Sequence, residues 1–193
     1  ETIKQTGGIV PDKHWETNRQ KILQAVDLTA LLGLEYLTFH FGFIDNSEQK
    51  IRERVRFLAD AAEQKNVMLL METGQENAQT LRVFLEELSH PALGVNFDPA
   101  NMILYGKGDP VLALEVLAPW VKHLHIKDAR RSVIPEQWGE EVVWGDGDFD
   151  NETFLKTLNS IGYQGALAIE REAGSQRLQD IQHAAYALRE FSN

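Results

Sequence analysis

Four short apolar runs in this chain end on residue types that bind hard cations. Glu72 closes VMLLME, Asp98 closes LGVNFD, His125 lies near the end of VKHLHIKD, and Glu170 closes ALAIE. Brought to one point, two Glu, one Asp and one His would form an oxygen-rich site for one divalent ion. Mn²⁺ or Mg²⁺ suits such donors first, and Co²⁺ or Zn²⁺ is compatible. The chain has no Cys, so thiolate metal sites and disulfides are excluded. Taken singly, a strand-end Asp before Pro is often a turn former and a strand His often a hydrogen-bonded core residue. Four such residues at four successive strand ends outweigh that alternative.

The elements that must position them alternate along the chain. Residues from about Glu16 to Leu32 carry Ile22, Leu23, Val26, Thr29, Ala30 and Leu31 at helical spacing, with Gly33 as a stop. YLTFHFG is expected to be a strand. Ser47 can cap a helix running to about Lys65, where Asn66 ends it. VMLLMET is a strand, followed by a helix from Asn77 or Thr80 that carries Leu81, Phe84, Leu85 and Leu88 and stops at His90-Pro91. After the strand LGVNFDP, Asp109-Pro110 opens a helix to about Leu117. VKHLHIKD is a strand, and Ala129 to Asp148 is expected to be irregular. Asp150 caps a helix that stops at Gly162. ALAIERE is the last strand, and Ser175 caps a final helix with Leu178, Ile181, Ala185, Tyr186 and Leu188 on one stripe.

Five strands alternating with about six helices argue for a parallel sheet in one α/β domain spanning residues 1–193. Side-chain alternation places the ligands on one face: Met68 and Leu70 lie below Glu72, Gly94 and Asn96 below Asp98, Val121 and His123 below His125, and Ala166 and Ala168 below Glu170. Residues at the C-terminal ends of such strands converge. A closed barrel of eight units needs about 250 residues, so 193 residues with five strands predict an incomplete one.

Bulk composition narrows the function classes. The net charge of −10 argues against extended nucleic-acid binding. No apolar run approaches the roughly 18 residues of a membrane span. ETIKQTGG lacks the features of a signal peptide and is read as the end of a further strand; with no Cys, a cytoplasmic setting is expected.

The segments METGQENAQT, GVNFDPANMILYGKGDP, VKHLHIKDAR and GDGDFDNETFLKTLNSIGYQGALAIERE resemble the second half of the xylose-isomerase-like barrels. The likeness is to the sugar phosphate isomerase/epimerase group, which includes ketose 3-epimerases, hydroxypyruvate isomerase and inosose dehydratase. It runs from about residue 34 to the end. It implies a (β/α)8 TIM-barrel type fold of which this chain supplies about the last five β/α units, lacking the first strands. It also implies metal ligands at Glu72, Asp98, His125 and Glu170.

The implied activity is that of a sugar isomerase or epimerase acting on a ketose or hydroxy-ketone. A divalent ion stabilises a cis-enediolate while the catalytic pair Glu72 and Glu170 removes and returns the proton. The substrate-binding residues implied are His40, Asn101, Lys127 and Arg131. Asn101 stands where the ketose 3-epimerases commonly have a substrate-binding His, a departure that leaves a metal-dependent sugar or inosose dehydratase open. Endonuclease IV shares the barrel but has a His at that place and an Asp-x-His pair after the next strand. This chain has neither, so cleavage of DNA is not expected. A small-molecule sugar is the expected partner, homo-oligomerisation is left open, and a non-catalytic or partner-dependent metal-binding fragment is the non-enzyme alternative. Trp138 and Trp144 are candidates for a lid over the site, with loop packing as the plainer reading.

Overall fold

The computed structural model describes residues 7–44, 48–134 and 137–191. In chain order the elements are α1 (Asp12–Leu31), β1 (Tyr36–Phe39), α2 (Gln49–Glu63), β2 (Met68–Glu72), α3 (Ala78–Leu88), β3 (Leu93–Phe97), α4 (Pro99–Leu104), α5 (Pro110–Leu117), a 3₁₀ turn (Ala118–Trp120), β4 (Val121–Ile126), β5 (Asp128–Arg130), β6 (Glu140–Val142), α6 (Asn151–Ser160), β7 (Leu167–Ile169) and α7 (Arg177–Phe191). Strands β1, β2, β3, β4 and β7 pair in that order and all in parallel, forming a curled half-barrel sheet backed by helices.

The register brings Glu72 beside Asn96, Asn96 beside His123, and His125 beside Ala168. These residues therefore share one face of the sheet. The other face carries Leu69, Met71, Val95, Phe97 and Leu124, all buried under the helices. Each helix contributes a stripe at 3.6-residue spacing: Ile51, Val55, Leu58, Ala59 and Ala62 from α2, Leu81, Phe84, Leu85 and Leu88 from α3, and Phe154, Leu155 and Leu158 from α6. Fully burying one such Leu or Phe contributes roughly 1.5–3 kcal/mol.

Helix starts follow the expected caps. Asn77 accepts from the Thr80 amide at 2.9 Å, Asp109 from Val111 and Leu112, and Asp150 from Thr153. Ser47, expected to cap α2, lies outside the described residues, as do residues 1–6 of the expected leading strand. Glu48 holds the α2 N-cap position with no side-chain bond. Helix α7 begins at Arg177, so Ser175 is not its cap.

Two apolar stripes differ from expectation. Leu31 is 82% exposed and Tyr186 65% exposed. At about 100° per residue, Leu31 lies roughly 140° around α1 from buried Val26, and Tyr186 roughly 200° around α7 from buried Ala184. Tyr186 shares its outward side with exposed Leu178, while Leu188 and Phe191 pack inward.

One helix and one pair of strands were not expected. Helix α4 carries the same Asp-Pro opening as α5, with the Asp98 side chain accepting from the Asn101 amide at 2.9 Å. The stretch after Ala129 holds the antiparallel pair β5–β6. That hairpin is built on Asp128, which accepts from the amides of Ala129, Gly145 and Gly147 and from the Asn151 side chain. No local periodicity announces a pairing whose key acceptor is a single buried carboxylate.

A candidate metal centre

Four parallel neighbours, β2, β3, β4 and β7, deliver one ligand type each to the same end of the sheet. Ligand atoms of Glu72, Asp98, His125 and Glu170 all lie within 4.8 Å of one another. His125 Nδ1 is the common centre, 2.9 Å from Glu170 Oε2, 3.3 Å from Asp98 Oδ2 and 3.8 Å from Glu72 Oε1. The expected ligands are therefore brought together.

Each member is held by its surroundings. The Asp98 carboxylate divides its work: Oδ1 caps α4, leaving Oδ2 to face His125. Its backbone is fixed by Thr73, whose hydroxyl accepts from the Asp98 amide at 2.8 Å and donates to the Asp98 carbonyl at 3.0 Å. The Asn96 side chain meets His125 Nε2 at 3.2 Å and His123 Nδ1 at 2.8 Å. It sets the orientation of both imidazoles, the task that partners outside the ligand shell perform in metal sites.

Asn101 donates to Glu72 Oε1 at 3.0 Å, and His40 Nε2 lies 3.7 Å from the same oxygen. Both therefore flank Glu72. Gly74 permits this arrangement, because a Cβ there would press against Asn101 at 2.5 Å. Lys127 lies within the cluster, its side chain only 2% exposed, at 3.1 Å from Glu170, 2.8 Å from Glu172 and 3.7 Å from Asp98. Arg131 is exposed, and its amide donates to Asp148.

Electrostatics follow from this crowding. Burial pushes the Glu72 carboxyl up, with His40 and His125 pulling against it. The hydrogen bond from His125 holds Glu170 well below the usual carboxylate range, at about 2, against the effect of burial. Burial works to lower the His125 imidazole, yet Asp98 and Glu170 outweigh it and raise the ring to about 10. The two glutamates thus sit in environments that drive their proton affinities apart.

The model of the family described as "Xylose isomerase-like TIM barrel" matches residues 6–191. The chain belongs to that family. An inosose dehydratase of Clostridium tetani is 23% identical over 161 residues, covering 75% of this chain and 54% of that protein. This member thus spans about half the length of the curated relatives it matches. A xylose isomerase domain protein from Planctomyces limnophilus superposes with a TM-score of 0.90 at 34% identity, covering 97% of this chain and 69% of that one. A xylose isomerase-like barrel protein from Mycobacterium smegmatis, solved with magnesium, gives a TM-score of 0.77 at 20% identity, covering 95% and 70%. Other matches bear the names 3-dehydroshikimate dehydratase and L-ribulose 3-epimerase.

Several residues of this family member gain roles that no sequence motif announced. Thr73 reads as an ordinary strand residue, whereas Asn96 was expected on the ligand face; the pairing of β2, β3 and β4 reveals what each holds. Arg171 bonds Glu141 at 2.7 Å and Asp180 at 2.9 Å, tying the β5–β6 hairpin to the segment that carries Glu170. Gln75 accepts from the Gly42 amide and supports the neighbouring loop. Of the two lid candidates, Trp144 is buried against Phe149 and anchors its loop, whereas Trp138 is 64% exposed and stacks edgewise on Tyr105.

Asp60, Glu63 and His90 form a second cluster at the opposite end of the sheet. His90 Nδ1 accepts from the Ala92 amide at 3.1 Å, so the ring proton sits on Nε2, which faces Asp60 at 3.0 Å. That nitrogen has no lone pair to offer a metal, and the cluster is a hydrogen-bonded brace. Among the described residues no helix is long and apolar enough to cross a membrane.

Proposed function

We propose that this chain carries the metal and proton-transfer centre of a divalent-cation-dependent sugar isomerase or epimerase acting on a ketose or hydroxy-ketone. The supporting observation is the convergence of Glu72, Asp98, His125 and Glu170 within 4.8 Å, with the two glutamates contributed by the outer strands of the four. The donor set fits a hard divalent ion. Three carboxylates and one imidazole converge without thiolate, and a single cationic ring nitrogen already gathers all three acids. Mn²⁺ or Mg²⁺ is the proposed ion, and it would supply Lewis-acid polarisation of a substrate carbonyl.

The chain's own residues account for the rest. Isomerisation or epimerisation requires removing a proton from the carbon beside the carbonyl and returning it elsewhere. Glu72 and Glu170 approach from the two ends of an arc of strands, so one can take the proton and the other deliver one. His40 and Asn101 hold the Glu72 oxygen in place. Lys127, buried beside Asp98 and Glu170, offsets the negative charge that the acids and a reacting substrate bring together. His40 and Arg131 would meet the substrate hydroxyls.

A second reading is favoured by the names of the curated relatives, which are dehydratases. Dehydration shares the first step, loss of the proton beside the carbonyl, and then expels a hydroxyl from the next carbon. Product analysis separates the two, since only dehydration changes the substrate mass by one water. The shared step is tested by following deuterium from solvent into a panel of ketoses with added Mn²⁺. Glu72→Gln and Glu170→Gln are expected to abolish the exchange, and undiminished exchange in both variants would overturn the two-glutamate assignment.

A further inference from the structure

Asn96 stands between two imidazoles, and its amide has a different end for each. As the amide lies, Nδ2 meets His125 Nε2 at 3.2 Å and Oδ1 meets His123 Nδ1 at 2.8 Å. An amide N–H donates and a carbonyl oxygen accepts, so this direction calls for a lone pair on His125 Nε2 and a proton on His123 Nδ1. His125 then keeps its single proton on Nδ1, the nitrogen that faces Glu170 at 2.9 Å and Asp98 at 3.3 Å. That proton blocks the lone pair a cation would need.

Both forms in which His125 serves the acid cluster reverse this direction. Bound to a cation through Nδ1, or charged and paired with the acids, the ring carries a proton on Nε2 and needs an acceptor there. Asn96 is fully buried, and turning its amide end for end exchanges Oδ1 and Nδ2 at nearly the same places. Nδ2 then points at His123 Nδ1, which must offer a lone pair. The His123 proton moves to Nε2, a nitrogen that meets no partner among the described residues and so no opposing donor. The backbone favours the same trio. The β3–β4 register slips by one residue at this level, with Val95 opposite Val121 but Asn96 opposite His123. Irregularities of this kind re-aim side chains beside working sites. This one sets His123 level with Asn96 and edge-on to His125, with ring centroids 5.6 Å apart.

We propose that His123 is a positioning residue for the metal centre: as the neutral tautomer protonated on Nε2, it accepts from Asn96 Nδ2, aims Asn96 Oδ1 at His125 Nε2–H, and leaves His125 Nδ1 free for the cation. The proposal rests on the metal reading above and adds to it a residue that acts on the ligand set through Asn96. Loading the site then reverses the hydrogen-bond direction along His123, Asn96 and His125. His123 keeps the same charge throughout, and only the place of its proton changes.

The test is nitrogen-15 NMR of histidine-labelled protein saturated with diamagnetic Mg²⁺, joined to Mn²⁺ titration by calorimetry. In the loaded wild type, His123 is expected to show a bare Nδ1 and a protonated Nε2, its signals being those missing from His123→Phe. Asn96→Asp, whose carboxylate only accepts, should put a proton back on His123 Nδ1. His123→Phe is expected to weaken Mn²⁺ binding by about tenfold or more, as loss of support outside the ligand shell does. His123→Gln, whose side-chain carbonyl accepts from Asn96, should recover part of that loss. The spectra are read on the wild type, so they decide the matter even where a variant folds poorly. A proton on His123 Nδ1 in the loaded wild type, or wild-type Mn²⁺ affinity in His123→Phe, would overturn this proposal alone. Failure to bind either ion would overturn the metal reading and the proposal with it.

Discussion

Replacing Thr73 with Val tests whether the metal centre depends on a hydroxyl that touches none of its ligand atoms. Thr73 is 2% exposed, and the Asp98 backbone it holds is fully buried. The substitution keeps the shape of the side chain but removes both hydrogen bonds, 2.8 and 3.0 Å, that clamp Asp98 to the end of β2. The buried Asp98 amide is then left without a partner, at about 1–3 kcal/mol, while the Asp98 carbonyl keeps the first intrahelical bond of α4. A destabilisation of about 1–3 kcal/mol is expected from urea unfolding, with the denaturant slope unchanged. Asp98 should also loosen against His125, and removing a supporting bond of this kind typically lowers metal affinity by about 10–100-fold. Mn²⁺ titration by calorimetry reads that second effect, and Thr73→Ser should restore much of both. A Val variant within about 0.5 kcal/mol of wild type and with unchanged Mn²⁺ affinity would refute the clamp.

Two further outcomes follow from the same geometry. Burial raises the Glu76 carboxyl from 4.5 to about 8, with the Lys107 charge pulling against it. The folded state therefore binds this proton more tightly than the unfolded chain, so stability is expected to fall as pH rises from about 4.5 to about 8. Glu76→Gln should flatten that fall by an amount on the order of a few kcal/mol, and an unchanged difference in urea midpoint between pH 5 and pH 8 would count against it. A Cβ at Gly147 would overlap the Asp128 carboxylate that organises the β5–β6 hairpin. Gly147→Ala is accordingly expected to cost about 1–3 kcal/mol or more in thermal or urea unfolding, and a neutral result would show that Asp128 can turn aside freely.

The periodicity of the chain was enough to determine the alternation of helices and strands, the parallel sheet and the candidate ligands. Ile51, Val55, Leu58 and Ala62 repeat at helical spacing, and VMLLME, LGVNFD and ALAIE are apolar runs bounded by turn residues, so local pattern and final structure agree there. Asp98-Pro99 carries the same helix-opening signal as Asp109-Pro110, and its two carboxylate oxygens serve as cap and as ligand candidate at once. Other features had no local signal at all. Leu31 and Tyr186 look like core residues until the rotation of their helices against the sheet turns them outward. Thr73 and Arg171 acquire their partners across strands or loops, and Asn96, whose face alternation did give, finds His123 only 27 residues further along. Those contacts arise only after loop closure has already been made favourable by the core, so no window of sequence contains them. What the chain determined alone was which residue types could bind a cation; the curl of the sheet decided that they meet and which neighbours hold them.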